Sequence, residues 1–115
     1  MIWSRACFAI SVVAVTIGSL LPGSAVTATT VVPDWVRHGL GYFVIALFAT
    51  WALPRVASWI VFSGVVAYSI LIEVLQPIVA DRMFELTDIA SNAVGAALGI
   101  ALAAVTRYRF RSPHR

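Results

Sequence analysis

The stretch Glu73–Gly99, EVLQPIVADRMFELTDIASNAVGAALG, decides how the chain folds. It holds four of the five acidic residues of a sequence that is otherwise mostly apolar. Long apolar segments run into it from both sides, so it ends one predicted membrane helix and begins the next. Its polar side chains are therefore predicted to meet at one end of a helix pair. Ionisable groups at such a place in lipid are costly unless they are paired, and they point to a functional site.

The composition excludes an ordinary water-soluble domain. Of the 115 residues, 61% are hydrophobic and 11% are charged, and the mean hydropathy is +0.94. A helix needs roughly 20 residues to cross a hydrocarbon core of about 30 Å, and it satisfies its own backbone hydrogen bonds there. We therefore predict an all-α fold, a small polytopic membrane bundle of four transmembrane helices with short loops, with the lipid bilayer as its surroundings.

Helix-breaking residues give the bounds of these helices. Proline-containing breaks at residues 22–23, 33–34, 54–55 and 77 separate four apolar segments. They predict helices over residues 2–21, 35–53, 56–76 and 87–106 in a single transmembrane domain, 1–115. Asp34 is expected to cap the second helix. The first segment could instead be a signal peptide, with Arg5 in its charged region and a cleavage site at Val26-Thr27-Ala28.

The basic residues predict the orientation of the bundle. All eight are Arg, and most lie just outside apolar segments, so the net charge of +3 is interpreted as a topology signal and not as a nucleic-acid surface. With four spans, six of them fall on one side, which is predicted to be cytoplasmic together with both termini. The five acidic residues fall on the other side, so the polar residues are predicted to be extracytoplasmic.

Helical spacing groups the polar residues into stripes. The second helix carries three at i, i+4 and i+8, the third carries two at i and i+3, and the fourth carries two at i and i+4. Gly95 and Gly99 continue the stripe of the fourth helix and let a neighbour approach closely, which would bring the stripes together. With the arginine of the intervening loop, the predicted polar cluster comprises Asp34, His38, Tyr42, Glu73, Gln76, Arg82, Asp88 and Asn92.

Each of these residues also has a structural explanation. Asp88, with Thr87, is equally well explained as a cap of the fourth helix. Arg82 is the natural partner of Glu73, with Asp88 as the competitor, and such a pair could be a clasp between helices or part of a ligand site. We predict no metal set, because His38 stands alone among scattered carboxylates, and no cofactor.

Taken together, these residues resemble the VanZ-like family of small bacterial membrane proteins. The resemblance covers about residues 33–105 and rests on the combined pattern Asp34-x-x-x-His38-x-x-x-Tyr42, Glu73-x-x-Gln76, Arg82 and Asp88-x-x-x-Asn92-x-x-Gly95-x-x-x-Gly99. It implies an integral membrane protein of the cell envelope. The namesake of the family is associated with glycopeptide resistance, particularly to teicoplanin, without chemical alteration of the cell-wall precursor.

Two hypotheses of function follow from the cluster. The first is an accessory membrane protein whose outward cluster binds an envelope lipid headgroup or cell-wall precursor, with Arg82 on the anionic group. The second is an intramembrane enzyme acting on a lipid-linked substrate, with His38 or Glu73 as acid or base. A small transporter is disfavoured because the polar groups lie near one face of the membrane. A homo-oligomer or a membrane partner is expected, since so short a chain exposes much helix surface.

Overall fold

The computed structural model describes residues 2–22 and 32–111. This part of the chain forms four helices and no strand: α1 (Ile2–Leu20), α2 (Asp34–Ala52), α3 (Ser58–Val79) and α4 (Leu86–Arg111). The prediction of an all-α bundle of four helices is confirmed. The predicted cleavage motif, Val26-Thr27-Ala28, lies outside the described residues.

Three of the described helices, α1, α3 and α4 as far as Tyr108, are long and apolar enough to cross a membrane. Helix α2 has 19 residues, as α1 does, but its first turns carry Asp34, Arg37 and His38, which lower its hydropathy. Its crossing of the bilayer stays a prediction. Large apolar side chains cover much of the outer surface of the bundle, as expected for a protein surrounded by lipid.

Two helices extend beyond their predicted ends. Helix α3 runs to Val79 with Pro77 inside it. A proline in the last turn removes only one backbone N–H donor, so the helix continues for two residues beyond it. Helix α4 runs to Arg111, so the first part of the basic tail, residues 107–115 with four of the eight Arg, is helical. At the start of α2, Pro33 holds the N-cap position without a side-chain bond, and Asp34 is the first helical residue and binds Arg37 instead of capping.

Helix α2 lies at the centre of the bundle and contacts each of the other three, α4 most extensively. Glycines make this close approach possible. A Cβ atom at Gly95 would overlap the carbonyl oxygen of Gly39, and one at Gly99 would overlap that of Phe43. Ala96, which lies next to Gly95 on α4, has no exposed surface. We call this contact between α2 and α4 the glycine seam. The small-residue stripe of α4 therefore packs directly on the backbone of α2, as close helix packing in membranes requires.

Candidate functional site

The structure brings the predicted polar residues together at one end of the bundle. Asp34 stays half exposed, and the side chain of Arg82 is 10% exposed. The other six are buried: His38, Tyr42, Glu73, Gln76, Asp88 and Asn92. A bundle of this size thus buries two carboxylates and a histidine at one point. Such groups are expensive to bury without partners, so the contacts that each one makes decide what the site can do.

Glu73 projects from α3 towards His38 on α2. Nδ1 of His38 lies 3.3 Å from Oε1 of Glu73, and the Glu73 side chain has no exposed surface. Despite this proximity, neither carboxylate oxygen of Glu73 has a hydrogen-bond partner of good geometry among the described residues. The two groups are therefore adjacent but not aligned, and the hydrogen-bonding capacity of Glu73 is largely unused.

Arg82 makes three contacts at the edge of the cluster. Its Nη1 donates a hydrogen bond to the carbonyl oxygen of Ser19 at 3.1 Å. Its Nη2 lies 3.4 Å from Nε2 of His38 and 3.6 Å from Oδ2 of Asp34. The predicted pairing of Arg82 with Glu73 is thus wrong, because the loop places the guanidinium beside the first turn of α2. At 3.6 Å the pair with Asp34 is longer than a charge-assisted hydrogen bond of about 2.7–2.9 Å.

The position of Arg82 depends on a left-handed turn at the end of α3. Asp81 has φ 50°, a conformation that Asp tolerates better than most residues and that commonly ends helices. The turn folds the chain back, so that the backbone N–H of Arg82 donates to the carbonyl oxygen of Gln76 at 3.3 Å. The Gln76 side chain in turn donates to the Ser19 carbonyl at 3.0 Å.

Ser19 is a member of the site that the sequence did not indicate. Its carbonyl oxygen accepts hydrogen bonds from both Gln76 and Arg82. The last carbonyls of a helix have no partner within the helix, and Ser19 lies in the last turn of α1. Every residue type has a backbone carbonyl, so the residue type at position 19 does not predict this acceptor. Only the predicted end of α1 near residue 21 indicates that carbonyls there lack partners within the helix. Helix α1 is therefore part of the site.

A cavity of about 170 Å³ opens beside Arg82. Arg37, which the sequence assigned only to topology, faces it and also binds Asp34. Tyr42 also lines the cavity, while its hydroxyl is fully buried and has no hydrogen-bond partner in the described part of the chain. The lining residues are Val15, Gly18, Ser19, Asp34, Arg37, His38, Gly41, Tyr42 and Arg82.

Asp88 does not cap α4, because the helix begins at Leu86 and Asp88 lies inside its first turn. A carboxylate is favoured there by the partial positive charge of a helix N-terminus. Asp88, His38 and Glu73 each offer an atom within 4.8 Å of the other two. The carboxylates that looked scattered in the sequence therefore converge on the histidine. One turn further along α4, both amide atoms of Asn92 are buried with no partner among residues 2–22 and 32–111.

The sequence of the chain matches the model of a known protein family. A family model described as VanZ/LLP1 matches residues 6–107, which include most of α1 and of α4 and all of α2 and α3. No curated protein and no solved structure matches the chain. The matched region contains every residue of the polar cluster and both close-packing glycines of α4. Because the model covers most of its length, the chain belongs to the VanZ/LLP1 family.

Proposed function

We propose that this chain is an accessory protein of the cell envelope, without catalytic activity of its own, that binds the anionic group of an envelope lipid or lipid-linked cell-wall precursor. The cavity beside Arg82 is the binding site, and it faces away from the cytoplasm. One observation carries the proposal. Two guanidinium groups, those of Arg37 and Arg82, share the single carboxylate of Asp34 at the cavity.

The contacts of Arg82 leave it able to bind a ligand. Its bond to Ser19 fixes the position of the guanidinium, whereas its pair with Asp34 is long at 3.6 Å. A guanidinium offers five donors in a planar fork that fits phosphate or carboxylate oxygens. The guanidinium of Arg37, which also lines the cavity, supplies further donors.

The size and location of the cavity suit a headgroup. A volume of about 170 Å³ holds several waters of about 30 Å³ each, which is room for a phosphate group but not for a whole lipid. The acyl chains would remain in the surrounding bilayer, against the exposed apolar faces of the helices. Recognition would therefore be limited to the anionic group and its neighbouring atoms.

The test compares binding of purified envelope lipids and lipid-linked precursors by the full chain in nanodiscs. We expect Arg82→Gln to weaken binding by about tenfold or more, since a charge-assisted bond contributes about 1.5–3 kcal/mol. Arg55→Gln is the matched control, because Arg55 is exposed in the loop between α2 and α3. Asp34→Asn should strengthen binding by removing the competing carboxylate. Equal binding by the two Arg variants would contradict the proposal.

The link to glycopeptide resistance is tested in cells. The full chain is expressed in a susceptible host, and growth is measured over a series of teicoplanin concentrations. If ligand binding at the cavity underlies resistance, wild type and Arg55→Gln will raise the inhibitory concentration, and Arg82→Gln will not. A rise that is the same for all three would separate resistance from the cavity.

One observation favours a second function, an intramembrane enzyme acting on a lipid-linked substrate. Glu73 lies 3.3 Å from Nδ1 of His38, while Nε2 of the same ring is on the side of Arg82 and the cavity. A carboxylate behind an imidazole is an arrangement that supports general-base catalysis. Product formation in the binding samples, lost in both His38→Gln and Glu73→Gln, would favour the enzyme over the accessory protein.

A further inference from the structure

Glu73 and Asp88 are buried carboxylates without an arginine of their own. Within the described part of the chain, Arg37 and Arg82 both have Asp34 as their carboxylate partner. Glu73 is 0% and Asp88 is 5% exposed, and a ring nitrogen of His38 lies within 4.8 Å of a carboxylate oxygen of each. Two negative charges beside one imidazole need a further cation or a proton to be stable in such surroundings.

The geometry of the three groups is close to that of a metal site. Ligand atoms at about 2.0–2.2 Å from one ion lie about 3.3–3.5 Å apart at tetrahedral angles and up to about 4.4 Å apart when opposed. Nδ1 of His38 and Oε1 of Glu73 are 3.3 Å apart, without the alignment of a hydrogen bond. One ligand atom from each of His38, Glu73 and Asp88 lies within 4.8 Å of the other two. Closing a tetrahedral site would shorten the separations between ligand atoms, which are up to 4.8 Å, by as much as about 1.3 Å.

Unpartnered atoms point to the same place. Both oxygens of Glu73 lack hydrogen-bond partners among the described residues, and so do both amide atoms of Asn92, which is 1% exposed. Asn92 lies one turn from Asp88 on α4, so its amide is available as a further oxygen ligand or as a donor to a metal-bound carboxylate.

We infer that His38, Glu73 and Asp88 bind one divalent transition-metal ion. One imidazole with two carboxylates suits Zn²⁺ or Mn²⁺ better than Ca²⁺, which prefers oxygen ligands only. The ion would neutralise the two buried carboxylates. It would enter from the cavity, whose wall includes His38. This site lies deeper in the bundle than the proposed anion site and shares only His38 with it.

Metal binding also changes the contacts of Arg82. A guanidinium can only donate hydrogen bonds, so its contact of 3.4 Å with Nε2 of His38 places the proton of a neutral ring on Nδ1. An ion on Nδ1 requires that proton to move to Nε2, where it would face another donor. The bound ion therefore releases Arg82 from His38 towards the cavity. This coupling, unlike the metal site itself, rests on the proposed anion binding.

The experiment uses the full chain, purified without a polyhistidine tag, treated with a chelator and titrated calorimetrically with Zn²⁺ in detergent. We expect one Zn²⁺ per chain, and an affinity at least about tenfold lower in His38→Gln, Glu73→Gln and Asp88→Asn. Glu85→Gln is the control, because Glu85 is an exposed acid close to the same helix end. No zinc binding, or the same affinity in Glu73→Gln and Glu85→Gln, would overturn the inference.

A measurement on the wild type does not depend on the folding of any variant. In protein labelled with ¹⁵N at histidine, Zn²⁺ should shift the Nδ1 resonance of His38, which is assigned by its absence in His38→Gln. The resonance of His114 should not move. A shift of the His114 signal alone would place the ion on the basic tail and overturn the proposed site.

The arginine variant separates this inference from the proposed function. Arg82→Gln should lose anion binding but bind Zn²⁺ more tightly, because it removes a positive charge 3.4 Å from His38. Wild-type protein that binds anionic lipid but no metal would overturn the metal site alone. Protein that binds Zn²⁺ through His38 but no anionic lipid would overturn the proposed function alone.

Discussion

At the scale of single residues, Glu73 is the most costly member of the polar cluster. It has no exposed surface, and among the described residues its one partner within salt-bridge distance is His38, at 3.3 Å. A hydrophobic or neutral side chain of the same size at this position would avoid the cost of burying a carboxylate. Selection for stability alone does not explain a glutamate there, which is typical of functional sites that reduce stability.

We therefore expect Glu73→Gln to stabilise the metal-free protein, by about 1 kcal/mol in the free energy of unfolding. The amide keeps the size of the side chain and removes the charge. Thermal unfolding in detergent after chelator treatment measures the change. Glu85→Gln, at an exposed position, should alter stability by less than about 0.5 kcal/mol. A clear loss of stability in Glu73→Gln would mean that its pairing with His38 outweighs the burial cost.

At the scale of helices, the spacing of polar residues predicted which of them share a helix face, but not which residues pair between helices. The intervals from His38 to Tyr42 and from Asp88 to Asn92 indicated shared faces, and all four side chains are buried. Which carboxylate pairs with Arg82 depends on the rotation of α2 about its axis and on its position along that axis relative to the loop. Those quantities are set by backbone contact at the glycines and by the turn at Asp81. Helical periodicity carries no information on either.

The glycine seam between α2 and α4 gives a prediction about both stability and binding. Gly95→Ala adds a Cβ that overlaps the backbone of Gly39, so the helices must separate, at a cost of about 1–3 kcal/mol. The separation would also move Asp88 away from His38 and weaken Zn²⁺ binding. Thermal unfolding and zinc titration measure the two effects.

Gly64→Ala is the matched control for this substitution. A Cβ at Gly64 meets no atom within 4 Å in the described part of the protein. The higher helix propensity of alanine should then stabilise α3 by up to about 1 kcal/mol. If Gly95→Ala changed stability and zinc binding no more than Gly64→Ala, this would contradict the close contact between α2 and α4.

At the scale of the whole molecule, the orientation in the membrane follows from the proposed four spans. Met83 is 80% exposed in the loop beside the polar cluster, and Arg55 is exposed in the loop between α2 and α3. In a Cys7→Ser background, a membrane-impermeant maleimide added to intact cells should label Met83→Cys and not Arg55→Cys. Labelling of Arg55→Cys alone would reverse the proposed orientation and place the cluster in the cytoplasm.

The extensive contact between α2 and α4 has a consequence for biogenesis. The ribosome makes α2 before α4, so the membrane insertion machinery meets the polar first turns of α2 before its main partner exists. The polar side chains of α2 are shielded only when α4 has entered the bilayer and closed on it. Helix α2 is therefore expected to remain near the translocation channel until α4 has been synthesised, and the site is assembled only after α4 has been inserted.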